Sequence, residues 1–404
     1  MAKPGSAAAP DSLAAHDAHH GTLAPAIVRG LSRLGLTPQL VRDALLCVVV
    51  SRVGFVVLTI VATAFLHPFG QPPYATTFLE AWFRWDAVHY AEIARDGYTA
   101  SMHNAAFFPL QPALLALAAP LFGDNLALTG IVLSNLCFFG ALLGVGALAS
   151  HDFDLATARR AMLYFTIFPT ALFFFAGYAE SVFLALAVWC VVALRRGAWW
   201  QAGVLGLLAA LTRQMGLFLV FPFAYAYAQQ AGWRLRAVRP NAGWILLIPA
   251  GLLLFMGWLW RTLGDPLAFV HVETYWTHTL TAPWTTLYRA VTALSQMTDP
   301  IAFRKGLVDL GAVVLVAVLI VRGLRKLKPG DLLYSAAVWL IAVAYPTTVW
   351  WLQSDSRYML AAFPCFVLLA WEGRRRWLHI LLVVVFVAGL ILLTQYFVRG
   401  AVIL

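Results

Sequence analysis

The sequence has 404 residues, of which 62% are hydrophobic and 11% are charged, whereas a typical soluble domain has about 25% charged residues. Repeated apolar segments of about 20 residues are long enough to cross about 30 Å of hydrocarbon as helices, so they predict an all-α polytopic membrane protein. The net charge of +10 comes from short basic clusters between these segments. That distribution reflects membrane topology and argues against binding of nucleic acid.

The N-terminal region, residues 1–40, is predicted to be a disordered cytosolic tail, because it lacks the apolar core of a cleavable signal peptide. Residues 41–404 are predicted to form a single transmembrane domain. Basic residues precede the first apolar span, 43–66, which places the N-terminus in the cytosol by the positive-inside rule. Residues 67–125 would then form the first extracytoplasmic loop.

The apolar segment 107–122 is short and contains prolines. If it crossed the membrane, five later basic clusters would all face outward. If it lies along the outer interface, all five face the cytosol, so an interfacial helix is favoured. This arrangement predicts eleven membrane spans and an extracytoplasmic C-terminus. The predicted spans are 43–66, 126–149, 161–176, 182–194, 198–211, 215–230, 242–261, 306–321, 332–351, 358–370 and 378–398.

A second large extracytoplasmic loop is predicted over 262–305. On this side of the protein, charged residues come from loops that are far apart in sequence, and charges near the membrane are often functional. We therefore expect one site that faces the outer leaflet. Tyr275, Trp276 and Trp284 could stack on sugars there, but a belt at the lipid headgroups is the favoured interpretation.

Asp86 is the leading catalytic candidate. It follows Trp85, and in a helix it would share a face with His89 at position i+3. Its carboxylate could accept a proton from an attacking hydroxyl group. The alternatives are a capping or salt-bridged aspartate and a structural histidine. Asp86 and His89 could also ligate a metal, but no third ligand has suitable spacing.

Three further charged residues lie near the ends of predicted spans. Arg357 is a candidate phosphate ligand because guanidinium donors match phosphate oxygens, although it could instead be an interfacial anchor. Arg213 is a second phosphate candidate. Glu180 interrupts an apolar stretch, so it either belongs to the site or forms a structural pair with Arg213.

The motifs around these residues resemble a known family over roughly residues 40–365. They are Arg84-Trp85-Asp86-Ala87-x-His89-Tyr90, Ile93-Ala94-x-x-Gly97-Tyr98, Phe107-Phe108-Pro109-Leu110-x-Pro112, Gly177-Tyr178-x-Glu180-Ser181, Leu211-Thr212-Arg213, Gly264-Asp265-Pro266 and Ser356-Arg357-Tyr358. The pattern resembles the family of the second mannosyltransferase of glycosylphosphatidylinositol anchor synthesis (PIG-V-like) and its prokaryotic relatives.

This resemblance implies a glycosyltransferase of the C-type superfamily (GT-C), with an acidic residue in the first outer loop. Asp86 matches that acid and would be the general base, and His89 would orient it or bind a hydroxyl. Substrate and phosphate contacts are expected from Arg84, Trp85, Glu180, Arg213, Arg357 and Tyr358.

The implied reaction moves a sugar, mannose above all, with inversion. The donor would be a polyprenyl-phosphate sugar, and the acceptor a glycolipid or another extracytoplasmic molecule. No cofactor is expected, and a divalent metal is compatible with the chemistry but not required. The protein would be a multi-pass plasma membrane protein, surrounded by membrane lipids, whose active site faces outward.

Three other functions remain open. A transporter or lipid flippase would carry mid-span charges and inverted repeats, whereas here the polar groups gather at one face and no repeat is visible. A related enzyme could move another sugar or an aminosugar. A non-catalytic subunit that presents a lipid is disfavoured because the acid in Trp85-Asp86 is retained.

Overall fold

A computed structural model describes residues 35–69, 75, 77–99, 101–348 and 351–401, so most of the predicted tail lies outside the described residues. Helices dominate the described part. The α-helices are α1 Pro38–Phe65, α2 Phe78–Trp82, α3 Asp86–Asp96, α4 Leu110–Ala118, α5 Leu126–Asp152, α6 Leu155–Ile167, α7 Glu180–Arg195, α8 Trp199–Thr212, α9 Val220–Gln230, α10 Leu247–Leu263, α11 Ala268–His271, α12 Pro283–Gln296, α13 Pro300–Gly323, α14 Pro329–Ala344, α15 Asp355–Met359, α16 Phe363–Glu372 and α17 Arg376–Val398.

Short 3₁₀ helices connect several of these elements. They are Met102–Ala106, Ala119–Phe122, Ala171–Phe174, Gln214–Leu219, Leu235–Ala237, Pro240–Leu246 and Val272–Thr274.

The first helix begins earlier than its apolar run predicts. The Thr37 side chain accepts a hydrogen bond from the Leu40 N–H at 3.2 Å, and Pro38 occupies the first helical position. Both residues favour a helix start, which explains why α1 begins before residue 43. Apolar side chains such as Val50 and Phe65 are exposed along α1, as expected for a helix that faces lipid.

Five segments are long and apolar enough to cross a membrane, and they coincide with five of the predicted spans. These are Pro38–Phe65, Leu126–Asp152, Pro240–Leu263, Pro300–Gly323 and Arg376–Val398. The other six predicted spans contain α-helices of 10 to 16 residues, which extend at most about 24 Å. A helical multi-pass membrane protein is therefore shown, and the predicted number of eleven spans is not confirmed.

Prolines interrupt two of the shorter spans. The predicted span 161–176 loses its helix at Phe168, which precedes Pro169 and has φ −55° and ψ 144°. The predicted span 332–351 loses its helix after Ala344, where Tyr345 precedes Pro346. A residue before proline avoids the helical conformation, so these prolines are the physical reason for the breaks.

The segment 107–122 forms α4 and a 3₁₀ turn, which together run from Leu110 to Phe122. Thirteen α-helical residues would extend only about 20 Å, less than the thickness of a bilayer core. Gly123 ends the segment with φ 63°. This length is compatible with the predicted interfacial placement, while the orientation to the membrane stays a prediction.

Two of the basic clusters lie together at one end of the helix bundle. Arg195, the last residue of α7, forms ion pairs with Asp331 and with Asp152, the latter at 3.0 Å. Lys328 also contacts Asp152, at 3.1 Å. Glu180 begins α7 at the opposite end, about 22 Å away along the helix. Two of the five clusters that were used to predict topology, those of Arg195 and Lys328, therefore share one end of the molecule, opposite Glu180.

Arg195→Met should destabilise the protein by about 3–5 kcal/mol, because it leaves the buried Asp331 carboxylate without its guanidinium partner. The thermal unfolding temperature of purified protein measures this loss. Arg196→Met, at the exposed neighbouring position, is the matched control and should change little. Equal unfolding temperatures for the two variants would contradict the prediction.

Candidate functional site

A cavity of about 450 Å³ opens at the Glu180 end of the bundle, within the size range of small-molecule sites. Six of the residues predicted for the site line this cavity: Trp85, Asp86, His89, Arg213, Arg357 and Tyr358. The structure thus brings together side chains that are far apart in the sequence, such as Asp86 and Arg357, which are separated by 271 residues. Their predicted roles in binding and catalysis remain predictions.

The four principal charged residues of this region lie at helix ends or helix breaks. Asp86 and Glu180 are the first residues of α3 and α7, where the helix dipole favours a carboxylate. Arg213 directly follows α8, and Arg357 lies within the five-residue α15. Broken helices are therefore what directs these side chains to a common point.

The same four residues form a continuous ion-pair network. Arg357 donates from Nη1 to Oδ2 of Asp86 at 2.6 Å, and its Nε lies 3.3 Å from Oε1 of Glu180. Arg213 pairs with that same Oε1 of Glu180. Glu180 therefore joins the two arginines, and the predicted Glu180–Arg213 pair is present within a larger network that also reaches Asp86.

Burial makes this network energetically important. The Arg357 side chain is 6% exposed and that of Asp86 is 19% exposed. Two carboxylates balance two guanidinium groups, so no net charge is buried. The Arg357 guanidinium also lies over the rings of Phe173 and Tyr178, at 5.2 and 5.6 Å. Such contacts stabilise a desolvated cation.

The residues before Asp86 and α15 have unusual backbone conformations. Trp85 has φ 48°, and Ser354 has φ 63°. Positive φ is unfavourable for residues other than glycine and often occurs at functional sites. The turns that present Asp86 and Arg357 to each other are thus both strained.

His89 lines the cavity but is not hydrogen-bonded to Asp86 in the contacts that the structure gives. Its Nδ1 lies 3.0 Å from Oδ1 of Asn104, and its ring stacks on Phe107 at 4.7 Å. A neutral ring that donates from Nδ1 keeps an acceptor lone pair on Nε2. This histidine is therefore suited to bind a hydroxyl group, one of its two predicted roles.

Two predicted site residues do not line the large cavity. Glu180 lies behind it, in contact with both arginines. The Arg84 side chain turns back to donate from Nε to the carbonyl of Ala81 at 3.3 Å, while its own carbonyl accepts a hydrogen bond from the Tyr178 hydroxyl. The position of Arg84 gives its predicted role in substrate binding no support.

None of the eight predicted site residues belongs to a second polar wall of the cavity, which contains Glu273, Trp276, His278 and Gln353. Trp276, for which a belt at the lipid headgroups was the favoured interpretation, thus lines the cavity. Oε2 of Glu273 lies 3.7 Å from Nε2 of His278. Nδ1 of His278 donates to the carbonyl of Tyr345 at 2.8 Å. The available signal was an acid and a base five residues apart in a predicted outer loop, which is weak because many loops carry such pairs.

Burial shifts the pKa of both groups on this wall toward the neutral form. It raises the pKa of Glu273 to about 7. It also lowers the pKa of His278, an effect that the hydrogen bond to the Tyr345 carbonyl partly opposes. Desolvation is the physical cause in both cases, because a charged group loses more hydration energy than a neutral one.

The described part of the chain contains no group of three or more His, Cys, Asp or Glu side chains placed to hold a metal ion. The alternative in which Asp86 and His89 ligate a metal therefore gains no third ligand among these residues.

The architecture and cavity together define a helical membrane protein with a buried, charge-paired site at one end of its bundle. Comparison with known families identifies the family within this class. The profile of the mannosyltransferase (PIG-V) family matches residues 62–284, more than half of the chain. The protein therefore belongs to this family, and the predicted resemblance is confirmed. Asp86, Glu180, Arg213 and Glu273 lie within the matched range, whereas Arg357 lies beyond it.

Among individual relatives, the GPI alpha-1,6-mannosyltransferase 2 of Mus musculus is 37% identical over 148 residues, which cover 33% of this chain and 29% of the mouse protein. The human protein of the same name is 34% identical over 150 residues, again 29% of its length. The matches thus span less than a third of these relatives. An Archaeoglobus fulgidus oligosaccharyltransferase aligns with 88% of this chain and 53% of its own, at 14% identity and a TM-score of 0.43, a similarity too low to carry an argument.

Glu273→Gln should change how stability depends on pH. In the unfolded chain Glu273 ionises near pH 4.5, but in the folded protein only near pH 7. The folded state holds the extra proton between these values, so wild-type stability falls as pH rises through this window. Glutamine does not titrate. The unfolding temperature of Glu273→Gln should therefore increase relative to wild type between pH 5 and pH 8, and a constant difference would contradict the assigned pKa.

Proposed function

We propose that the protein is a membrane mannosyltransferase that uses a polyprenyl-phosphate sugar donor and transfers the sugar to a lipid-linked or other extracytoplasmic acceptor. The observation that carries this proposal is the Asp86–Arg357 ion pair on the wall of the cavity. In this pair a carboxylate, which can accept a proton, lies beside a guanidinium, which can bind phosphate. Membership of the mannosyltransferase (PIG-V) family supports the choice of sugar.

The two arginines would act on the donor phosphate. As the bond between the anomeric carbon and the phosphate oxygen breaks, the leaving group gains a second negative charge. Arg357 and Arg213 would stabilise that charge, because both line the cavity and fixed cations favour a developing anion. A donor with an isoprenoid chain would keep this phosphate at the membrane surface, near the end of the bundle where the cavity opens.

Asp86 would act on the acceptor. The acceptor hydroxyl attacks the anomeric carbon from the face opposite the phosphate, which inverts that carbon, and its proton passes to the Asp86 carboxylate. The donor phosphate would compete with Asp86 for the Arg357 guanidinium. Binding of the donor would thus loosen the ion pair and make the carboxylate available for the acceptor.

Asp86→Asn should abolish sugar transfer, because an amide cannot accept the hydroxyl proton. The assay uses purified protein with radiolabelled polyprenyl-phosphate mannose and a host lipid extract, and measures label in glycolipid product. Transfer by the wild type is expected to persist in EDTA.

Asp96→Asn is the matched control for this assay, since Asp96 ends the same helix, is partly exposed and pairs with its neighbour Arg95. It should keep wild-type activity. Equal transfer by wild type and Asp86→Asn would remove Asp86 from the mechanism, and transfer from another sugar donor alone would replace mannose in the proposal.

The site is proposed to face the outside of the cell, with the basic end of the bundle in the cytosol. Met102→Cys and Arg196→Cys, both at exposed positions, test this arrangement with a membrane-impermeant maleimide on intact cells. Met102→Cys should be labelled directly, and Arg196→Cys only after permeabilisation. Wild type reports labelling of the four native cysteines, and the reverse pattern would overturn the proposed topology.

A further inference from the structure

The cavity has two chemically different walls. On one, Arg213 and Arg357 offer guanidinium groups to an anion. On the other, Glu273, Trp276 and His278 provide a carboxylate, an indole and an imidazole. None of these three groups offers a phosphate the fixed positive charge that an arginine does, so the second wall is unsuited to the charged part of a polyprenyl-phosphate donor.

The second wall is held in place by contacts with two other elements. Tyr275 stacks on His103 at 3.6 Å, which ties the segment to the 3₁₀ helix Met102–Ala106. The Thr279 N–H donates to the carbonyl of Pro346, and the Thr281 N–H donates to the carbonyl of Ala344. Just before His278, the carbonyl of Thr277 accepts a hydrogen bond from the Thr348 N–H. The chain on either side of His278 is thus fixed against the segment that follows α14, so its side chains are presented in a defined arrangement.

Trp276 connects this wall to the proposed catalytic helix. The Trp276 ring meets the ring of His89 edge-on, with the two centroids 5.8 Å apart. His89 also stacks on Phe107, which lies in the segment before α4. His89 lies three residues after Asp86 on α3. A molecule bound against Trp276 would therefore lie beside the helix that carries the proposed base.

We propose that Glu273, Trp276 and His278 form the subsite for the acceptor, and that they recognise a sugar with free hydroxyl groups. This inference rests on the proposed function and adds the location of its second substrate. The Glu273 carboxylate accepts hydrogen bonds from sugar hydroxyls. The indole of Trp276 covers the apolar face of the ring, and Nε2 of His278, whose Nδ1 donates to Tyr345, accepts a further hydroxyl.

Glu273→Gln tests this subsite through its effects on the KM for an acceptor probe and the KM for the donor. The protein is held in lipid nanodiscs, because sugar-headed detergents would compete for the site. The donor is radiolabelled polyprenyl-phosphate mannose, and the acceptor probe is methyl α-D-mannopyranoside, a hexoside with a free primary hydroxyl. At pH 8, above the Glu273 pKa of about 7, loss of charge-assisted hydrogen bonds should raise the KM for this probe about tenfold or more, while the KM for the donor changes less than about twofold.

Three further variants separate loss of sugar recognition from general damage to the protein. Glu80→Gln is the matched control: Glu80 is exposed, and glutamine preserves its capping box with Thr77. It should leave both constants unchanged. Trp276→Ala should raise the KM for the probe as Glu273→Gln does, whereas Trp276→Phe, which keeps an aromatic face, should raise it less.

Calorimetric titration measures the affinity of the protein for the acceptor probe without any sugar transfer. Wild type should bind methyl α-D-mannopyranoside saturably, and Glu273→Gln should bind it about tenfold more weakly or not at all. Absence of transfer by wild type would defeat the proposed donor chemistry but leave this titration decisive. No saturable binding to wild type, or equal affinity in Glu273→Gln, would overturn the subsite.

Discussion

The ion-pair network of Asp86, Arg357, Glu180 and Arg213 is the constraint on which the rest of the structure depends. Each charge is costly to remove from water, and the cost is offset only when all four side chains meet. They can meet only if α3, α7, α8 and α15 begin or end at one point. The network therefore selects one arrangement of the helices and penalises others that would leave a charge unpaired.

Broken helices are the structural consequence of that requirement. Backbone outside a helix must be buried in protein when it lies at membrane depth, and the chain from Phe168 to Ala179 is buried throughout. Glycines allow neighbouring helices to approach these broken segments closely. A Cβ on Gly389 of α17 would lie 2.8 Å from Cγ of Pro169, and one on Gly130 of α5 would lie 3.1 Å from the Gly177 backbone. Small residues thus let long helices cover the breaks.

The sequence was sufficient to predict the membrane class, the family and the grouping of charges, since apolar length and charge placement are local properties. The predicted number of eleven spans stays a prediction, because hydropathy averages across a helix break even where Pro169 and Pro346 indicate one. The Asp86–Arg357 contact joins residues 271 apart, and a single sequence holds no record of such a distance. Glu273 was not singled out from the other charges of the outer loops, because only the folded loop directs it into the cavity.

The ion pairs that stabilise the fold are the same ones that the proposed mechanism rearranges. The fold can tolerate this rearrangement because Arg357 has two carboxylate partners. Arg357 binds both Asp86 and Glu180, so a phosphate that draws its guanidinium away from Asp86 still leaves the arginine paired with Glu180. Glu180 in turn remains paired with Arg213. The buried charges stay compensated while Asp86 becomes free. Under the proposed function, Glu180 is therefore a positioning residue. Its contact with Arg357 allows the Asp86–Arg357 ion pair to open without loss of the fold.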